Sequence, residues 1–99
     1  MSESLTLVVR IQAHADKAEE VKQSLLSILT PTRAEAGCEN YQFYIDDNNP
    51  NVFIFVETWT TRAHWEAHNQ SAHLAQFLAL AETAVASVDI TEVTEHGAA

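Results

Sequence analysis

Residues 52–60, VFIFVETWT, form a strongly apolar stretch with the two-residue alternation of a β-strand. One face carries large aromatic residues and the other carries aliphatic residues (Phe53, Phe55 and Trp59; Val52, Ile54 and Val56). A strand that is apolar on both faces needs a cover on both, because a large apolar patch in water is unfavourable. The stretch therefore predicts a strand inside a sheet that is packed on its two sides.

Three further strands are predicted, two before this one in the chain and one after it. DNNPN (47–51) suits a hairpin turn, so ENYQFYID (39–46) is expected to be the strand before it. LTLVVRIQA (5–13) alternates, which indicates a half-buried strand. VDITEVT (88–94) is predicted to be the last strand.

A first helical region lies between residues 13 and 39. Asp16 is expected to cap it, and apolar residues recur along it at three- and four-residue spacing (Val21, Leu25, Ile28 and Leu29). Pro31 is expected to interrupt and kink the helix, because proline lacks a backbone N–H. Gly37 is expected to end it in the left-handed conformation.

A second helical region is predicted to start at Thr60 or Thr61 and to reach about Val85. Ser71 can cap a fresh turn within it, so we predict a break near Asn69–Gln70.

The resulting order, β-α-β-β-α-β, is that of an α+β ferredoxin-like fold, an antiparallel sheet with two helices on one face. Ninety-nine residues suit one domain, 1–99, with a core from about residue 5 to 94 and a fraying tail at 95–99. Because the helices cover only one face, the second apolar face of strand 52–59 predicts a homodimer that packs sheet against sheet.

Composition narrows the choice of partner. Five Lys and Arg against fourteen Asp and Glu give a formal charge of −9, which argues against nucleic acid and an acidic membrane surface. No apolar run approaches the ~20 residues of a membrane span, and MSESLTLVVR does not resemble a signal peptide, so a cytoplasmic location is expected. The remaining candidates are a small molecule, another protein or another copy of the chain.

Three histidines lie close together in HWEAHNQSAHLAQF (64–77). His64 and His68 are four apart and could share a helix face, but a metal site needs a third ligand that this pattern does not supply. His68 and His73 are five apart, and a break between them could let both approach one cavity. We predict that His68 and His73 act in a pocket or brace the break, and that His64 lies at the surface.

Other candidate site residues lie on the predicted strands and the second helical region. Glu57 needs a partner at the end of an apolar strand; Arg33, Arg10 or a histidine would make a structural pair, and a catalytic role is the alternative. Aromatic side chains could form the core or the wall of an apolar pocket (Trp59, Trp65, Phe77, Tyr41 and Phe43). Cys38 is a weak candidate nucleophile, since only Arg33 could lower its pKa.

Two segments and one dipeptide carry a resemblance to a known family: TRAEAGCENYQFY (32–44), NP (49–50) and FIFVETWTTRAHWEAHNQSAHLAQF (53–77). From Leu5 to about Val93 the chain resembles the antibiotic biosynthesis monooxygenase superfamily, most closely its quinol monooxygenase-like branch. The residues that carry the resemblance are Arg33, Glu35, Gly37, Cys38, Glu57, Trp59, His68, Ser71, His73 and Phe77.

The resemblance implies a dimeric α+β barrel and a cofactor-independent monooxygenase. A haem-degrading relative would have an Asn on the first strand and a His ligand where this chain has Leu78, so neither haem nor any other cofactor is expected. The implied substrate is a small quinol or polyphenol that reduces O₂ itself, with His68 or His73 as base and Glu57 orienting it or bearing charge. The alternatives are a non-catalytic dimer that binds a small aromatic molecule and a cofactor-free isomerase of a small carbonyl compound.

Overall fold

The structure is a computed structural model that describes residues 4–97. Its elements in chain order are β1 (Leu5–Ala13), a 3₁₀ turn (Ala15–Lys17), α1 (Ala18–Arg33), β2 (Cys38–Ile45), β3 (Val52–Trp59), α2 (Arg62–His68), α3 (Ala72–Ala84) and β4 (Val85–Val93). The four strands form one antiparallel sheet in the order β2-β3-β1-β4. This is the predicted ferredoxin-like arrangement.

The sheet has two different faces because side chains alternate along each strand. In β1 and β3 the odd-numbered residues face the helices and form the core, together with one face of α1 and parts of β2 and α3. The even-numbered residues face the other way, and we call this second surface the open face. Ile54 and Val56 lie on it, half-buried within the single chain.

Two predictions about the first helix were wrong. Asp16 does not cap α1, because residues Ala15–Lys17 form a separate 3₁₀ turn and the helix begins after Lys17 without a side-chain cap. Pro31 does not interrupt α1, which continues to Arg33. A proline so close to the end of a helix removes one backbone hydrogen bond and leaves the earlier turns intact.

The other boundaries lie near their predicted positions. Gly37 has the predicted left-handed conformation, with φ +81°, but it does not end the helix: α1 ends at Arg33, Ala34 is its C-cap, and Gly37 turns the chain into β2. The second helical region is broken at residues 69–71, as predicted, and β4 follows α3 directly at Val85. Part of the predicted tail, residues 98–99, lies outside the described residues. Between residues 4 and 97, no helix is long and apolar enough to cross a membrane.

Candidate active site

The break between α2 and α3 brings His68 and His73 together. The Thr61 hydroxyl caps α2 by accepting from the backbone N–H of His64 at 3.3 Å, and the Ser71 hydroxyl caps α3 by accepting from that of Leu74 at 3.3 Å. Ending one helix at His68 and starting another at residue 72 removes the angular separation that five residues impose on a continuous helix. The two imidazole centroids are 6.1 Å apart.

A carboxylate from a third element joins these two rings. Glu35, in the loop between α1 and β2, places Oε2 2.9 Å from Nδ1 of His68 and 2.5 Å from Nε2 of His73. An ionised carboxylate only accepts hydrogen bonds, so both ring nitrogens must donate to it. In a neutral His68 the proton is therefore on Nδ1, and Nε2 keeps a lone pair that can take a proton.

His68 also lines an apolar cavity between the sheet and the helices. The cavity has a volume of about 190 Å³, and its walls include Tyr41, Phe55, Glu57, Trp65, Asn69, Leu74 and Phe77. It opens beside β4, where Val88 and Ile90 remain 47% and 53% exposed. A cavity of about 150 Å³ in a protein core binds benzene, so this one has room for a single aromatic ring.

Glu57 is a buried carboxyl in the wall of this cavity, 4% exposed. Burial raises the pKa of Glu57, and the negative charge of Glu35 adds to the rise; the hydrogen bond from Trp59 and the proximity of His68 oppose it. Its hydrogen-bond partner is the indole Nε1–H of Trp59, at 2.9 Å. The sequence had predicted Arg33, Arg10 or a histidine as the partner; His68 is close enough to lower the pKa of Glu57, but the hydrogen bond comes from Trp59.

The arginines considered as partners of Glu57 lie elsewhere. Arg33 donates from Nε and a terminal nitrogen to the backbone carbonyl of Tyr41, at 3.0 and 2.8 Å, and so ties the end of α1 to β2. Arg10 is an even-numbered residue of β1 and lies on the open face. The expected pairing of Glu57 with Arg33 or Arg10 was thus wrong. Arg10 is on the opposite face of the sheet, and Arg33 is bonded to a backbone carbonyl.

Tyr41 adds a phenol to the cavity wall. Its ring meets that of His68 edge-on, with the centroids 5.7 Å apart. Burial, followed by the negative charge of Glu57, raises the pKa of Tyr41 far above its ordinary value, so the hydroxyl stays protonated at physiological pH. The Tyr41 side chain lines the cavity, and its hydroxyl lies beside the side chain of Thr32.

Three of the five predicted wall residues line the cavity, namely Tyr41, Trp65 and Phe77. Trp59 does not; it is fully buried behind His68, with ring centroids 4.9 Å apart. Phe43 also lies outside, because it packs on other aromatic rings of the sheet. Trp59 therefore belongs to the core, and Phe43 is a partly buried residue that packs against it.

Of the two histidines that were predicted to lie in a pocket, only His68 does so. His68 lines the cavity, whereas His73 is not among the lining residues and is joined to His68 through the Glu35 carboxylate. His64 is half-buried near the surface, where its Nδ1 lies 2.8 Å from the Thr61 hydroxyl and its ring packs against Gly37. Glu35 was missed as a site residue, although it is among the residues that carry the family resemblance.

The Cys38 thiol was the candidate nucleophile of the sequence. Burial, with the charges of Glu35 and Glu57, raises the pKa of the Cys38 thiol, so Cys38 is not an activated nucleophile.

Glu35 supplies the third metal ligand that the sequence pattern lacked. One ligand atom each from Glu35, His68 and His73 lie within 4.8 Å of one another. The loop is distant in sequence, so helical spacing alone could not find it.

These features define a ferredoxin-like α+β domain that carries two histidines, linked by a carboxylate, beside an apolar cavity. The chain belongs to the antibiotic biosynthesis monooxygenase family, whose model matches residues 4–80.

Similar proteins support this assignment. The chain is 30% identical over 94 residues to the Bacillus subtilis (strain 168) protein named "Putative monooxygenase YcnE", a match that covers 92% of this chain and 99% of the relative. The solved structure of PA3566 from Pseudomonas aeruginosa is similar at a TM-score of 0.91 and 32% identity, over 96% of each chain. A Synechocystis protein, sll1783, is 35% identical over 68 residues; the match covers 69% of this chain and 46% of that relative.

Proposed function

We propose that the protein is a cofactor-independent monooxygenase of a small quinol or polyphenol-type aromatic molecule, with His68 as the base. The observation that carries this proposal is the position of His68. Its Nδ1 is bonded to Glu35, which leaves Nε2 as the proton acceptor, and its ring forms part of a cavity that has room for one aromatic ring.

In the proposed reaction the substrate itself supplies the electrons that reduce O₂. Removal of a phenolic proton by Nε2 of His68 gives an electron-rich anion that can reduce O₂ directly. For a hydroquinone, one oxygen atom enters the ring and the other leaves as water, the product is a hydroxyquinone, and all the electrons come from the substrate. The Tyr41 hydroxyl, which stays protonated, is a candidate donor to the developing oxyanion, a role that requires it to turn from Thr32 towards the substrate.

Glu57 and Glu35 have different tasks in this proposal. Glu35 orients His68 and balances its charge when the ring takes the proton, as the carboxylate partner of a catalytic histidine does. Glu57, whose pKa is raised by burial, can hold a proton close to the substrate oxygens. His73 braces Glu35 from the other side and has no direct contact with the cavity in this mechanism.

We also propose that the working form is a homodimer that packs through the open face. Ile54 and Val56 support this, because they lie on the central strand β3 and face away from the helices. Tyr44, on the neighbouring strand β2, is 48% exposed on the same face. A second copy would cover these side chains with the same surface, as a two-fold symmetric contact does.

The test is turnover of a panel of mono- and bicyclic quinols by the purified protein, with O₂ uptake and ¹⁸O incorporation as readouts. We expect one labelled oxygen atom per product molecule for a single-ring quinol. Saturable binding of the quinols without O₂ uptake would instead favour the non-catalytic binding protein. Exchange of substrate protons in D₂O without O₂ uptake, on a small carbonyl compound, would favour the isomerase.

A further inference from the structure

The Glu35–His68–His73 cluster has a second chemical capacity beyond base catalysis. We propose that it binds a divalent transition-metal ion of the zinc class through Glu35 Oε2, His68 Nδ1 and His73 Nε2, and that an ion bound there inactivates His68 as a base. The inactivation rests on the proposed function, whereas the binding does not. The site lies on the Nδ1 side of His68, and the proton-accepting Nε2 is on the other side of the ring.

The ligand set is the first support. Two imidazoles and one carboxylate are the donors of several three-ligand zinc sites, and such sites leave a fourth position for water. The three donors come from different elements: the loop before β2, the last residue of α2 and the first turn of α3. Helix caps at Thr61 and Ser71 fix the two histidines, so the set is held together without a metal.

The distances require only small movements. With metal–ligand bonds of about 2.1 Å, tetrahedral ligands lie roughly 3.4 Å apart. The two nitrogens lie within 4.8 Å of each other and must approach by no more than about 1.4 Å. The carboxylate oxygen is now 2.9 Å from one nitrogen and 2.5 Å from the other, so each oxygen–nitrogen pair must open by less than about 1 Å. Glu35 is on a loop and its side chain is 18% exposed, so a change of its rotamer can supply this opening.

Access and charge also favour a cation at this place. The side chains of Glu35 and His73 are 18% and 22% exposed, whereas that of His68 is 4% exposed, so an ion enters from the solvent side and not through the cavity. The formal charge of the chain, −9, attracts cations. The alternative helical pair, His64 and His68, is less suitable because the Thr61 hydroxyl engages Nδ1 of His64.

The consequence for catalysis follows from the two nitrogens of an imidazole. A metal on Nδ1 of His68 replaces the proton that is shared with Glu35. The ring then carries its proton on Nε2, which becomes a donor and can no longer accept a proton from a substrate. The ion would therefore be an inhibitor of the oxygenase and not its cofactor.

Metal-free protein titrated with Zn²⁺ by calorimetry, and with Co²⁺ by visible absorption, tests the binding. We expect one ion per chain, and at least a roughly tenfold weaker affinity in His73→Ala and in Glu35→Gln. The matched control is His64→Ala, in which the affinity should stay within about twofold. Long-range ¹H–¹⁵N spectra of the wild-type protein, which need no variant, should show the metal on Nδ1 of His68 and Nε2 of His73.

No binding, binding that survives both His73→Ala and Glu35→Gln, or binding that is lost in His64→Ala would overturn the proposal. Inhibition of O₂ uptake by Zn²⁺, with the same concentration dependence as binding, tests the consequence. If Zn²⁺ binds and leaves turnover unchanged, the inactivation is wrong while the site stands. If no quinol is turned over at all, the proposed function fails and the binding result is unaffected.

Discussion

His68 is held on three sides by groups that restrict its ring. Glu35 accepts from Nδ1, Trp59 lies against the ring at 4.9 Å between centroids, and Tyr41 meets it edge-on. A base whose tautomer and orientation are fixed before the substrate arrives needs little reorganisation during proton transfer. This fixation favours His68 over His73 as the base.

Replacement of His68 tests this assignment. We expect His68→Ala to lower kcat on an active quinol by about 10²–10⁴-fold, the usual contribution of a general base. His73→Ala should cost less, because His73 acts through Glu35. His64→Ala is the control and should change turnover little. Circular dichroism checks that each variant folds, and full activity of folded His68→Ala would contradict the assignment.

Glu57 gives a prediction about stability and pH. Because burial raises its pKa, ionisation of Glu57 destabilises the folded state. This cost is absent below the ordinary pKa of 4.5, where Glu57 is protonated in both states, and it grows as the pH rises through the folded-state pKa. Glu57→Gln removes the charge and keeps an oxygen that can accept from Trp59. We therefore expect the variant to be more stable than the parent at neutral pH and equally stable near pH ~4.

Urea unfolding between pH ~4 and ~8 measures this difference, with the exposed Glu82→Gln as the matched control. Equal stabilities of the parent and Glu57→Gln across the whole range would show that Glu57 is not strained by burial.

Among the structural elements, those that depend on local sequence were the easier to predict. The strands, the left-handed Gly37 and the break capped by Ser71 all follow from alternation, glycine conformation or capping within a few residues. The start of α1 was mispredicted because a 3₁₀ turn competes with an Asp cap in the same segment. Glu35 was missed because it is 33 residues from His68 in the sequence, and helix or strand periodicity cannot predict a contact over that distance. The indole partner of Glu57 was also missed, because only arginine and histidine were considered as partners of this carboxyl group.

Gly37 links the loop that carries Glu35 to helix α2. A Cβ on Gly37 would lie 2.2 Å from Cγ of the His64 ring, and its φ of +81° disfavours other residues. We expect Gly37→Ala to lower the free energy of unfolding by about 1–3 kcal/mol, measured by urea denaturation.

Two companion variants separate the two causes. Gly97→Ala has a similar φ of +77° with open space around it, and it lies in the predicted tail, so it should cost almost nothing and serves as a control for the glycine-to-alanine change alone. Adding His64→Ala to Gly37→Ala should recover the part of the loss that comes from the clash. A loss that is unaffected by His64→Ala would mean that backbone conformation, and not the contact with His64, requires glycine here.

For the whole molecule, the open face is the surface through which we propose that two copies pack. Its central strand β3 directs Ile54 and Val56 away from the helices, and a lysine at either position would place a charge in the middle of the proposed dimer interface. We expect Ile54→Lys and Val56→Lys to shift the protein from dimer to monomer in light scattering, because burying an unpaired charge is costly. Leu26→Lys is the matched control: it adds the same charge at an exposed apolar position on α1 and should leave the dimer intact.

The salt dependence of the dimer gives a second readout for the same surface. Two chains that each carry a formal charge of −9 repel one another, and this repulsion is screened as the ionic strength rises, whereas apolar burial is not weakened. An interface centred on Ile54 and Val56 should therefore tighten with added salt. A dimer that persists in both lysine variants would have its interface elsewhere. A dimer that dissociates as salt is added would be held by charged contacts. Either result would contradict packing through the open face.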